Sequence, residues 1–285
     1  MSALPETPST AEARPELTAQ RVRHPLRFRQ LQVRQVERLT SHLVRVTLAG
    51  DDLDGFVSLG FDDHVKLFFP DPVTGVLALP SVGTEGPVWS EGTRPTMRDY
   101  TPHHFDPVAR TLQIDFALHQ PGGPATEWAA QAQVGQTLGV GGPRGSLIVP
   151  TGFDWHLLIG DDTALPAIAR RLAELPAGAR AEVLVEVEGP DDHIALPSAA
   201  TLSVQWVHRS SAGADTQAGV LPLLDALRRT AMPAGVFHAW IGCESTQAKA
   251  LRAYLTTECQ ANPQWIRASS YWRKGSVDAH ESLDK

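Results

Sequence analysis

Arg98, Tyr100 and Thr101, within Met97-Arg98-Asp99-Tyr100-Thr101-Pro102, place a guanidinium, a phenol and a hydroxyl inside four residues. Side chains alternate faces along a β-strand, so Arg98 and Tyr100 project to the same side. Such a strand offers a flat ring to a flat ligand and a fork of donors to a phosphate beside it. The same spacing also describes an ordinary solvated strand face, and the rest of the chain decides between the two. A second candidate is the short helix in Gly122-Gly123-Pro124-Ala125-Thr126-Glu127-Trp128-Ala129-Ala130-Gln131. Its glycine-rich start leaves backbone amides for an anion, and the same residues suit a helix that plugs the open end of a barrel. Two further segments read as strand-to-helix turns: Gly160-Asp161-Asp162-Thr163-Ala164-Leu165-Pro166-Ala167 and Gly242-Cys243-Glu244-Ser245. In the first, Thr163 caps the helix or donates to a phosphate. It is not Gly-x-Gly-x-x-Gly, so the usual dinucleotide fingerprint is missing. Cys243 either touches a nicotinamide or fills apolar space, whereas Cys259 extends the core stripe of Ala248, Leu251 and Leu255.

These groups need a scaffold, and the hydrophobic pattern predicts two. From residue 25 to 150 the chain reads as short alternating strands punctuated by Gly and Pro. Val44, Val46 and Leu48 share one face, as do Val65, Leu67 and Phe69, and Leu112 to Leu118 alternates cleanly. Many short strands with almost no helix indicate an antiparallel sandwich or barrel, and a barrel with a single core fits the length. From 151 to 275 the pattern becomes βαβ: strands at 156–160, 181–187, 202–207 and 236–242, helices at 164–175, 220–229 and 245–259. That predicts a doubly wound parallel α/β domain, with ligands at the carboxyl ends of its strands. Residues 1–24 read as a flexible arm and 276–285 as a flexible tail.

Composition narrows the function. A chain of 285 residues suits two domains, and 42% apolar content is enough for two cores. The net charge of −7 argues against nucleic acid as the bulk partner but leaves room for a local basic pocket. No apolar run reaches the length of a membrane span. Met1 to Pro25 has neither the apolar core of a signal peptide nor the Arg-rich, acid-poor character of a transit peptide. Two cysteines are too few for a disulfide framework, a zinc site or an iron–sulfur cluster, which points to a reducing cytoplasm. His-Glu-x-x-His is absent, and the rings of His103 and His104 face apart on a strand, so no metal site is expected.

Taken together, Arg98-Asp99-Tyr100-Thr101-Pro102, His64 to Pro70, Gly122 to Trp128, Gly141 to Ser146, Gly160 to Ala167 and Tyr271-Trp272-Arg273 resemble, in that order, the ferredoxin–NADP reductase superfamily. Within it the chain looks like the siderophore-interacting proteins, which are FAD-dependent ferric-siderophore reductases. The resemblance covers about Arg21 to Gly275. It implies an N-terminal Greek-key β-barrel for FAD and a C-terminal α/β domain for NADH or NADPH. Arg98, with Asp99 beside it, is implied at the FAD pyrophosphate, Tyr100 against the isoalloxazine and Thr101 near its reactive nitrogen. Asp115, Phe116, His119, Gly123, Ala125, Thr126 and Trp128 are implied around the rest of the FAD. Asp161, Thr163, Ala164, Glu186, Gly242 and Glu244 are implied at the nicotinamide nucleotide, and Tyr271 and Trp272 near the flavin. Lys66, Arg144 and Arg267 match a basic pocket for an anionic ferric siderophore of catecholate, citrate or hydroxamate type. Where many relatives have an Arg after Tyr-Thr-Pro, this chain has His103.

The implied mechanism needs no acid–base dyad. Hydride passes from nucleotide to flavin and single electrons pass to Fe(III), with Thr101 tuning the flavin. Glu186, Glu188, Asp191 and Asp192, read as having no nearby Arg or Lys, favour a ribose 2′-hydroxyl and lean the expectation toward NADH. Relatives use either nucleotide, and some a ferredoxin. Two other functions fit the same residues: a general NAD(P)H:flavin reductase, for which Lys66, Arg144 and Arg267 are dispensable, and a non-catalytic binding protein for the ferric siderophore.

Overall fold

The change of hydrophobic period near residue 150 becomes a change of sheet. The computed structural model describes residues 15–84, 86–90, 95–119, 122–209, 221–275 and 281–283. The first part holds β1 (Gln20–Arg23), β2 (Phe28–Arg38), β3 (Leu43–Ala49), β4 (Val65–Phe68), β5 (Ser81–Gly83) and β6 (Gly86–Val88). It continues with β7 (Met97–Tyr100), β8 (Pro102–Asp106), β9 (Thr111–Ala117), helix α1 (Pro124–Ala130), β10 (Thr137–Gly141) and β11 (Gly145–Ile148). Seven of these strands form one antiparallel sheet in the order β7-β4-β10-β2-β3-β9-β8. Its two edge strands are consecutive in the chain with only Thr101 between them. The sheet must therefore curl until its edges meet at that residue, which makes the barrel. Inside, Val44, Val46 and Leu48 of β3 stand opposite Phe116, Ile114 and Leu112 of β9, all fully buried. Helix α1 packs Ala125 and Ala129 onto the same core.

The second part holds β12 (Trp155–Asp161), α2 (Leu165–Glu174), β13 (Arg180–Val187), β14 (Thr201–His208) and α3 (Pro222–Arg229). After these come β15 (Phe237–Glu244), α4 (Ser245–Thr257), β16 (Ile266–Trp272) and β17 (Glu281–Ser282). The sheet order is β14-β13-β12-β15-β16-β17, parallel except for β17. Both faces are covered, so its strands are apolar on both sides. Leu158 joins the core under α2, whereas Leu157 and Ile159 join the core under α3 and α4. Among the described residues no helix is long and apolar enough to cross a membrane.

Three expectations change. Residues 15–24 are not a loose arm: Leu17 is buried in the core of the second sheet, and β1 pairs with β11. The tail contributes β17, which pairs with Ser269 and Ser270 of β16; residues 1–14, 276–280 and 284–285 lie outside the described residues. Strand β16 itself was not expected, because its serines break the apolar pattern and pairing with β15 and β17 imposes the extended backbone.

The two sheets share one interface. Leu43 and Phe61 belong to the same core as Leu158, Ile168 and Trp240. Asp62 accepts a hydrogen bond from Trp240 Nε1 at 3.1 Å and pairs with Arg267. Arg170 of α2 donates to Ser58 Oγ and to the Pro102 carbonyl, both at 3.0 Å.

Candidate functional site

Strand alternation assigns the residues of β7 to two faces. Cross-strand partners share a face, so Tyr100 opposite Val65 and Arg98 opposite Leu67 lie on one, and Asp99 opposite Lys66 lies on the other. Tyr100 packs its ring 4.5 Å from that of Phe116, and Phe116 in turn lies 5.7 Å from Trp128. Phe116 is wholly buried, so it braces Tyr100 from behind and offers no surface to a ligand. Burial pushes the Tyr100 phenol well up, which keeps it protonated. Arg98 is half-buried and donates to the Met97 carbonyl at 2.6 Å. It pairs with no carboxylate among the described residues.

Thr101, buried where the barrel closes, shares a side-chain hydrogen bond with Tyr271 at the end of β16. The Tyr271 ring stands edge-on to Trp240, 6.0 Å away. Its neighbour Trp272 donates its indole N–H to Asp161 Oδ2 at 2.8 Å, and Asp161 Oδ1 accepts from the Thr163 amide at 3.0 Å. A continuous chain of contacts thus runs from the Arg98-Tyr100-Thr101 strand to the carboxyl ends of β16 and β12. Asp161 is buried; burial first, and then the adjacent Asp162 carboxylate, raise its pKa to about 7.

Other expected site residues are engaged in the scaffold. Asp115 is held by Arg45 in a two-pronged ion pair at 2.7 and 2.8 Å, with His103 at 3.3 Å. That commits its carboxylate to the barrel wall. His103 is largely buried, and that burial lowers its pKa. Glu186 is also engaged: one oxygen accepts from Arg209 Nε and the other from Gln247 Nε2, both at 2.9 Å. Arg209 also pairs with Asp162 at 2.8 Å, which overturns the reading that no Arg lies near these carboxylates. Glu244 caps α4 by accepting from the amides of Thr246 and Gln247. Ala164 and Gly242 are buried, and burial pushes the Cys243 thiol far up, so it is an inert filler. At α1, Thr126 Oγ1 and His119 Nε2 lie 3.2 Å apart, and Gly123 has open space around its α-carbon.

The opposite face of β7 borders a cavity of about 330 Å³ lined by His64, Lys66, Asp99 and Arg144 together with Phe28, Phe68, Trp89 and Met97. Pro80 and Pro87, flanking and within the β5–β6 hairpin, line it too. Lys66 meets Asp99 at 2.9 Å. Two of the three expected cations, Lys66 and Arg144, therefore share this cavity. Arg267 does not line it and instead pairs with Asp62 at the interface between the sheets. Sequence reasoning missed His64, Trp89, Asp62 and Arg170. Trp89 could have been flagged as an aromatic in a Pro-rich loop; nothing local marks the others.

Residues 32–147 match the model of the siderophore-interacting FAD-binding domain, and residues 153–275 match that of siderophore-interacting protein. An NADPH-dependent ferric-chelate reductase of Escherichia coli strain K12 is 40% identical over 256 residues, which is 89% of this chain and 96% of that protein. Ferric vibriobactin reductase ViuB of Vibrio cholerae is 33% identical over 241 residues, 83% of this chain and 86% of that one. The crystal structure of a siderophore utilization protein from T. fusca superimposes with a TM-score of 0.84 at 37% identity, covering 92% of this chain and 98% of that chain.

Proposed function

The chain belongs to the siderophore-interacting protein family, and from that premise we propose how its own residues serve the reaction. It is an oxidoreductase that reduces a ferric siderophore with electrons from a nicotinamide nucleotide. FAD, when bound, supplies the exchange between a two-electron donor and a one-electron acceptor. The residues present fit that cofactor. A half-buried Arg98 paired with no carboxylate suits a pyrophosphate, and Tyr100, braced by Phe116, suits a flat ring. Thr101, fixed by Tyr271, is the hydroxyl beside that ring. Gly123, Thr126 and His119 are assigned to the adenosine diphosphate half. Asp115, Phe116, Ala125 and Trp128 act one layer back, as supports.

The observation that carries the substrate assignment is the convergence of His64, Lys66 and Arg144 in one cavity on the other face of the strand that bears Arg98 and Tyr100. The cations attract an anionic chelate, and the walls of Phe28, Phe68 and Trp89 suit aryl rings, so catecholate siderophores are the favoured class. Ferrous iron binds anionic oxygens more weakly than ferric iron does, so reduction releases it. For the donor, Arg209 pairs with both Glu186 and Asp162 at the carboxyl edge of the sheet, which offsets one of their two charges and lessens the repulsion a 2′-phosphate would meet. NADPH is therefore the favoured donor.

The test is anaerobic: NADPH is added to the purified protein, followed by a ferric catecholate with a ferrous trap present. Flavin absorbance should bleach and then recover as trapped ferrous iron appears. Lys66→Glu with Arg144→Glu should slow the second phase tenfold or more and leave the first intact, since each lost charge-assisted contact is worth about 1.5–3 kcal/mol. Equal loss of both phases would sink the cavity as the substrate site.

A further inference from the structure

Edge strand β14 carries a cluster that the electron path does not use. Trp206 and His208 are two residues apart on β14 and share a face. His193, just after the short turn at Pro190–Asp192, lies between them in stacked order. Its ring centroid is 4.5 Å from that of Trp206 with planes 14° apart, and 5.0 Å from that of His208 with planes 25° apart. The stack brings the two Nε2 atoms to 2.7 Å. Without a ligand, one of them must donate to the other. A metal ion would take both lone pairs at once.

The chemistry selects the ion. Calcium and magnesium take oxygen ligands, so a site of two imidazoles suits borderline transition-metal ions such as zinc, nickel, copper or ferrous iron. Zinc–nitrogen bonds of about 2.0–2.1 Å at a tetrahedral angle put the nitrogens about 3.4 Å apart, so the rings need to part by about 0.7 Å. His193 is exposed, which leaves room for that movement. Asp192 is not a third ligand, because His42 holds it at 2.9 Å. No group of three or more His, Cys, Asp or Glu converges among the described residues, so solvent completes the coordination.

We propose that His193 and His208 form a two-imidazole surface site for a borderline divalent transition-metal ion. The sheet order puts β13, β12 and β15 between β14 and the strand that carries Trp272, a separation of about 19 Å at about 4.8 Å per strand. The site is therefore remote from the flavin end of the electron path.

Calorimetric titration of the untagged, FAD-loaded full chain with zinc tests this. Wild type should bind one zinc ion at this site, and His193→Gln and His208→Gln should each weaken that binding at least tenfold, with His42→Gln unchanged. Retained flavin absorbance shows that each variant is folded. No zinc binding by the wild type below millimolar concentration would overturn the proposal. So would undiminished binding in both variants, or loss in His42→Gln alone.

Discussion

Asp161 joins the two halves of the site, since Trp272 and Thr163 both donate to it. Its folded pKa, raised to about 7 by burial and by Asp162, lies above the ordinary carboxylate value of about 3.9. An acid shifted upward binds more protons folded than unfolded in that interval, so its contribution is full below about 4 and is lost as pH rises to about 7. Asp161→Asn should therefore gain stability relative to wild type between pH 5 and pH 8, by an order of magnitude of a few kcal/mol. Urea unfolding at both pH values measures the difference, and no change in it would refute the burial argument. Asp99 allows a second test. It sets a negative charge beside Lys66 in the cavity, so Asp99→Asn should lower the KM for a polyanionic ferric chelate severalfold and steepen its salt dependence. Residue roles were legible where local geometry fixes them: two-residue alternation was enough to put Arg98 and Tyr100 together. They were not legible where a distant partner decides. Asp115 looked available until Arg45, Glu186 until Arg209 and Gln247, and Arg267 until Asp62 came into contact.

At the scale of elements, the βαβ period from residue 151 was enough to place the strand-to-helix turns, because a parallel sheet sends every such turn to one edge. The periodicity could not show how closely those turns approach. A Cβ added to Gly160 would lie 2.4 Å from that of Ala164 and 2.7 Å from the Gly242 carbonyl oxygen. Gly160→Ala must therefore push β12 and its turn away from β15. Overpacking of this kind costs about 1–3 kcal/mol, and the KM for NADPH should rise while chelate reduction by the pre-reduced protein is unaffected. Stopped-flow separation of the two half-reactions checks this; equal slowing of both would put the damage elsewhere. The closure of the barrel at Thr101 was equally hidden. It follows from strand order, and β7 and β8 become opposite edges only once β4, β10, β2, β3 and β9 have paired between them.

For the whole molecule, the hydrophobic pattern predicted two domains, and it could not reveal that they share a core. Phe61 packs 5.7 Å from Trp240, Arg171 of α2 donates to the Val149 carbonyl at 2.9 Å, and Asp62 is buried between Trp240 and Arg267. Removing one member of such a pair leaves its partner's charge in a poorly solvated interface. Asp62→Ala should destabilise by about 3 kcal/mol, and Asp62→Asn by less, because an amide oxygen still accepts from the Trp240 indole. The same interface makes the chain one cooperative unit. FAD held by the barrel should then protect the α/β sheet as well, raising stability by about 2.7 kcal/mol at a hundredfold excess over its dissociation constant. Hydrogen exchange at β12 and β15, which lie outside the barrel, reads this directly. Slower exchange there on adding FAD means that the two sheets unfold together, and protection confined to the barrel strands means that the shared core is too weak to couple them.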